Sequence, residues 1–118
     1  EDSLVLMRSL DTLTSVKQTT ADVPGEFSLQ QSYPNPANPS TTISYQLPAQ
    51  SHVTLKVFDV LGREVTTLLN RVEEPGEKSA TFDGQNFASG VYFYRLEAIS
   101  IADPSRSFTQ VRKMVLIR

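Results

Sequence analysis

Apolar and polar residues alternate with a period of two in the middle of this chain, and no helix buries such a pattern. Ile43, Tyr45 and Leu47 alternate with Thr42, Ser44 and Gln46, and Val53, Leu55 and Val57 alternate with Thr54 and Lys56. Side chains two apart share one face of a strand, so each segment has one buried face and one wet face. Val65 to Leu69 adds an apolar segment, Lys78 to Phe82 a weaker one, and Gly90 to Ala98 a run rich in aromatic and β-branched residues. Phe108 to Ile117 closes the chain, with Met114 and Leu116 on one face and Val115 and Ile117 on the other. Apolar groups on both faces predict a last strand that sits centrally or meets a partner. With a short strand after Phe27, about seven strands are expected, and their spacing predicts an all-β, antiparallel, immunoglobulin-like sandwich.

Turn chemistry divides these segments. Asp59-Val60-Leu61-Gly62 has Asp at the first position of a type I turn and Gly at the fourth. Pro75-Gly76 suits the central positions of a type II turn. Asp83-Gly84 and Ser89-Gly90 flank a loop before the most aromatic segment. Tyr33-Pro34-Asn35-Pro36-Ala37-Asn38-Pro39 is different in kind: Pro34, Pro36 and Pro39 fix φ and remove three backbone donors. That segment is excluded from a central strand and is expected to be a rigid, extended crossover between the first and second strands.

Residues 1–26 are read as the end of an upstream domain plus a linker, and residues 27–118 as one domain. The first residues show neither the basic start nor the apolar core of a signal peptide, so the expectation is the tail of a longer protein whose signal lies upstream. No apolar run approaches a membrane span. The net charge of -2 argues against nucleic acid, and with no cysteine there is neither a disulfide frame nor a thiolate metal site. Charge is uneven: residues 1–26 carry five acids and two bases, whereas residues 104–118 carry Arg106, Arg112, Lys113 and Arg118 and no acid.

Residues able to carry catalysis are sparse. His52 is the one histidine and stands at the expected start of a strand, which predicts an exposed side chain. There is no Gly-x-Ser-x-Gly elbow and no glycine-rich phosphate loop. Glu73 and Glu74 precede a turn and are expected to face solvent; Asp83 reads as a turn residue. Asp59, Asp83 and Asp103 offer oxygen ligands, but no loop spaces several acids closely, and no metal or cofactor is assigned. Tyr92 and Tyr94 face one way and Phe93 the other; core packing is favoured over a sugar-stacking platform.

Four motifs in order resemble one family. Residues 27–43, with Tyr33-Pro34-Asn35-Pro36-Ala37-Asn38-Pro39 at their centre, resemble the opening of the type A C-terminal sorting domain of the type IX secretion system, found in Bacteroidetes and related bacteria. Val57-Phe58-Asp59-Val60-Leu61-Gly62-Arg63-Glu64-Val65 is similar to its central hairpin, and Ala88-Ser89-Gly90-Val91-Tyr92-Phe93-Tyr94-Arg95-Leu96 to its aromatic strand. Lys113-Met114-Val115-Leu116-Ile117-Arg118 resembles its terminal motif. Ala37 departs from the family, which often has Phe there.

The resemblance implies a non-catalytic signal domain on an exported cargo. That cargo passes through the periplasm, crosses the outer membrane through the type IX translocon, and reaches the cell surface or the medium. A sortase-like surface peptidase would cut within residues 14–26 and attach the cargo to anionic lipopolysaccharide or release it. Recognition is expected at Lys113, Met114, Val115 and Leu116, with Gly90 and Tyr92 shaping the neighbouring strand. Strand addition to the terminal edge is one mode by which a receptor reads them. The competing readings are an adhesive or carbohydrate-binding module of a secreted enzyme, and a structural spacer.

Overall fold

A computed structural model describes residues 25–118. Seven strands form, β1 (Ser28–Leu29), β2 (Ser40–Leu47), β3 (Ser51–Phe58), β4 (Glu64–Glu73), β5 (Gly76–Asp83), β6 (Gly90–Ser100) and β7 (Ser107–Leu116). They make two antiparallel sheets, in the orders β1-β2-β5 and β4-β3-β6-β7. This is the expected immunoglobulin-like sandwich with one change of membership. In the constant-type arrangement the fourth strand joins the first, second and fifth; here it lies beside β3 in the other sheet.

The period of two becomes the core. Ile43, Tyr45 and Leu47 of β2 face Val53, Leu55 and Val57 of β3 and Tyr94, Leu96 and Ala98 of β6, all essentially without solvent contact. Each such aliphatic or aromatic side chain contributes about 1.5–3 kcal/mol through the apolar area it removes from water. Tyrosines in a core need partners for their hydroxyls. Tyr94 meets this across the sandwich: its Oη accepts the Ser32 N–H and donates to the Gln30 carbonyl, both at 2.8 Å. Burial raises its pKa.

Two sequence-specified turns behave differently. The Gly62 N–H donates to the Asp59 carbonyl at 3.0 Å, closing the expected turn, and Gly62 has φ of 81°. The Asp59 carboxylate accepts the Leu61 and Arg63 N–H groups at 2.9 and 3.0 Å, so one side chain holds both halves of the β3–β4 hairpin tip. Pro75-Gly76 is not a hairpin turn. β4 and β5 belong to different sheets, and Gly76 has φ of 130°, far from the roughly +80° of a type II turn. The pair forms a corner at which the chain passes from one sheet to the other. Glu73 beside it is turned inward: the Tyr45 hydroxyl donates to its carboxylate, and Arg71 pairs with it at 3.0 Å. The expectation of a solvent-facing Glu73 is therefore corrected.

The proline-rich segment is not an extended strut. It bends at residues 34–36 and again at 38–39. It is tied to β2 by the reciprocal backbone bonds of Tyr33 and Thr42 and by the Thr41 hydroxyl donating to the Pro34 carbonyl at 2.7 Å. The X–Pro bonds at Pro34, Pro36 and Pro39 are cis. Between the bends Ala37 is fully buried. The prolines stop a regular ladder, yet Ala37 keeps its N–H, and that donor finds β7 rather than water.

Candidate functional site

The six residues singled out for recognition come together at one corner of the larger sheet. Gly90 lies opposite Leu116 and Tyr92 opposite Met114, with Val115 and Lys113 opposite Val91 and Phe93. Their side chains divide between two environments. Tyr92, Met114 and Leu116 point inward and are buried, and the Tyr92 hydroxyl donates to the Ala88 carbonyl at 2.6 Å. Lys113 is exposed and Val115 half-buried on the outer face. In the folded domain Lys113 and Val115 are therefore the accessible members of this set, while Met114, Leu116 and Tyr92 pack inside the corner. Gly90 opens β6 at φ of 153° in space that would accept a Cβ, so its backbone conformation and not crowding favours glycine.

β7 is an edge strand, so of the two placements its apolar faces left open, central or meeting a partner, the central one falls. Its free edge is nonetheless occupied along the terminal motif. The Lys113 carbonyl accepts Gln31 Nε2 at 2.9 Å, and the Val115 N–H donates to Asn35 Oδ1 at 3.0 Å. The Val115 carbonyl accepts the Ala37 N–H at 2.7 Å, and the Ile117 N–H donates to the Ala37 carbonyl at 2.8 Å. The first motif of the domain thus covers the edge of the last one. Strand addition along the terminal motif, one mode open to a receptor on the sequence, finds the Lys113 carbonyl, both Val115 groups and the Ile117 N–H already paired. Gln31, Asn35 and Ala37 were not anticipated as edge partners. The available signal was the spacing: between Pro34 and Pro39 only Asn35, Ala37 and Asn38 retain an N–H.

Beneath this corner Gly84 is packed so closely that a Cβ there would lie 2.5 Å from Leu116 Cδ1 and 3.0 Å from the Pro39 carbonyl oxygen. Phe82, Phe87 and Tyr92 pack against one another, with ring centroids 5.6–6.5 Å apart. A groove of about 380 Å³ runs between the 59–63 turn and residues 88–92, and two apolar side chains project at the turn tip, Val60 at 63% and Leu61 at 74% exposure.

The sequence profile of the secretion system C-terminal sorting domain matches residues 31–110. The chain belongs to that family. Membership makes it a sorting domain of the type IX secretion system, on a protein exported to the cell surface or the extracellular space. The match takes in the proline-rich crossover, the 59–62 turn and the aromatic strand; the terminal motif at residues 113–118 lies past its end. Among solved structures, CopC from Methylosinus trichosporium OB3b is similar at 12% identity and a TM-score of 0.49, covering 77% of this chain and 93% of that one. No curated protein matches the chain.

The remaining chemical groups of the sorting domain have structural surroundings. His52 is exposed on the outer face between Val72 and Ile99, as expected of a strand start. Asp83 Oδ1 accepts the Gln85 N–H at 3.0 Å and Asp103 Oδ1 the Ser105 N–H at 3.3 Å, both as turn residues. Among the described residues no three potential metal ligands cluster, and no helix is long and apolar enough to cross a membrane. On the outer face Arg95 lies 4.7 Å from the Phe58 ring centroid and pairs with Glu97 at 3.1 Å.

Proposed function

We propose that this chain is a non-catalytic address label, read by the type IX machinery at the corner where β6 begins and β7 ends. The observation that carries the reading is the sorting-domain match over residues 31–110. The corner supports it physically. Lys113 and Val115 present a cation and an apolar group outward, while Met114, Leu116 and Tyr92 anchor the same two strands from inside. A folded label joined to its cargo by residues 1–26 keeps its shape whatever the cargo is. In this reading the cargo passes the periplasm with the label folded. After translocation a sortase-like surface peptidase cuts within residues 14–26, and the cargo is attached to anionic lipopolysaccharide or released. Residues 1–24 lie outside the described residues.

The carbohydrate-binding alternative needs aromatic rings on the surface. Tyr45, Tyr92 and Tyr94 are buried, Tyr33, 81% exposed, has no aromatic ring stacked on it among the described residues, and the stacked Phe27–Phe108 pair is partly buried against the core.

The test places residues 1–118 behind an export signal and a fluorescent reporter, in a type IX-competent bacterium and in a translocon mutant. Reporter reaching the surface or medium only in the competent strain is the expected result. Reporter held in the periplasm of both strains, with the domain folded, would overturn the reading.

A further inference from the structure

The edge of β7 is covered only in part. Backbone groups on an antiparallel strand point alternately to one neighbour and to the other. On β7 the odd-numbered residues point away from β6, as the bonds from Val115 to Asn35 and Ala37 show. Cover ends at Gln31, which reaches the Lys113 carbonyl. Below that, the N–H and carbonyl groups of Thr109 and Val111 and the N–H of Lys113 have no partner among the described residues. The open stretch is bounded at its far end by the loop in which the Arg106 carbonyl accepts the Ser100 N–H at 3.0 Å. Val111 is 52% exposed.

We infer that the β7 edge from Ser107 to Lys113 takes an acidic, extended segment of the secretion machinery by strand addition. The inference rests on the sorting reading above and names how the partner is held. Free rungs supply main-chain bonds to a segment of about five residues, and flanking side chains set its sequence. Those side chains are basic. Arg106, Arg112 and Lys113 line the edge, no acid occurs in residues 104–118, and none of the three is in an ion pair among the described residues. The nearest acid across the sheet, Glu97, faces Thr109 but is bound to Arg95 at 3.1 Å; Glu26 lines the same hollow as Arg106. Arg112 spends its Nε–H on the Leu29 carbonyl at 2.6 Å, and its guanidinium makes no other hydrogen bond or ion pair among the described residues. Lys113 and Arg112 lie on opposite faces of the strand, so a partner with two adjacent acids answers both, and an apolar residue two positions along meets Val111. A second copy of this chain brings the same three cations to the seam and is disfavoured by repulsion.

The test uses the full 118-residue chain. A blocked peptide reading threonine-valine-glutamate-glutamate-valine-threonine should slow amide exchange at Thr109 and Val111 by about tenfold or more at saturation, and its lysine counterpart should not. Val111→Pro removes an edge N–H that β6 does not use, so it should keep the melting temperature and lose the peptide effect. Thr109→Pro serves if Val111→Pro does not fold. In the reporter strain either variant should cut surface delivery about tenfold or more. No slowing by the glutamate peptide, or equal slowing by the lysine one, overturns the inference. So does a wild-type dimer in sedimentation that Val111→Pro abolishes, since a second copy then fills the edge. If the wild-type chain fails to deliver reporter, the sorting reading falls; if it delivers and the proline variants deliver equally, only this inference falls.

Discussion

Ala37 and Val115, 78 positions apart in sequence, are joined backbone to backbone at 2.7 Å. That bond locks the proline-rich crossover onto the terminal strand and makes the two ends of the domain one structural unit.

Asn35 completes this lock through its side chain. Asn35→Ala removes the acceptor of the Val115 N–H, and the expected cost is about 1 kcal/mol, the usual net worth of one such bond. Denaturant unfolding reads the loss, and faster amide exchange confined to Val115 and Ile117 locates it.

Met114 and Lys113 are neighbours with opposite expected phenotypes. Met114 is fully buried, so Met114→Ala should cost about 2–5 kcal/mol and reduce delivery by unfolding the domain. Lys113 is exposed, so Lys113→Ala should change stability by less than about 0.5 kcal/mol while lowering reporter delivery. Melting temperature and secretion measured on both variants separate folding from recognition; normal secretion of Lys113→Ala would remove Lys113 from the recognised surface.

Gly84 is a packing constraint and not a turn requirement. A methyl group there meets Leu116 Cδ1 at 2.5 Å and Cδ2 at 2.8 Å, so Gly84→Ala should destabilise by about 1–3 kcal/mol through overpacking. Pairing it with Leu116→Val, which retracts the obstructing atoms, should recover part of that loss in a double-mutant cycle.

Tyr45 ties the smaller sheet to β4 through Glu73. Burial, and then the Glu73 carboxylate, push its pKa well above the ordinary tyrosine value. Its folded pKa is raised, so its contribution is complete below about pH 10 and is lost as pH climbs from there toward the folded value. Stability measured from pH 8 to 11 should fall for the wild type, and Tyr45→Phe should flatten that slope; Tyr94, also raised, leaves a residual one.

On the acid side Asp59 and Glu64 act in the opposite sense. Hydrogen bonding from the Arg63 N–H lowers the Asp59 pKa, and bonds from Thr67 and Lys56 lower that of Glu64. Their contribution is present above the ordinary carboxylate range and is lost as pH falls through it, from about pH 4 downward. Asp59→Asn removes that contribution, so it should lower stability at neutral pH, flatten the Asp59 part of its fall below about pH 4, and leave the acid-unfolding midpoint, followed by circular dichroism, at the same or a higher pH.

The strands were legible because alternation is a local property. Val53, Leu55 and Val57 mark a buried face without reference to anything else in the chain, and β3 forms around them. The 59–62 turn was equally local, since Asp59 and Gly62 carry their own hydrogen bond and their own φ preference. Pro75-Gly76 shows the limit. Its residues specify a break in the chain, and whether a break makes a hairpin or a passage between sheets depends on which neighbour β5 finds, here β2.

The candidate site divides the same way. Sequence by itself determined a seven-strand sandwich and its buried faces, because side-chain period and turn chemistry act over a few residues; that the 90–96 and 113–118 motifs are adjoining strands was implied only by the family resemblance. Tertiary structure alone decided that β7 is an edge, that Gln31, Asn35 and Ala37 cover its end, and that Thr109 and Val111 stay open among the described residues. Those outcomes depend on unpaired backbone groups, which every residue carries alike, and only the packed fold determines which of them meet.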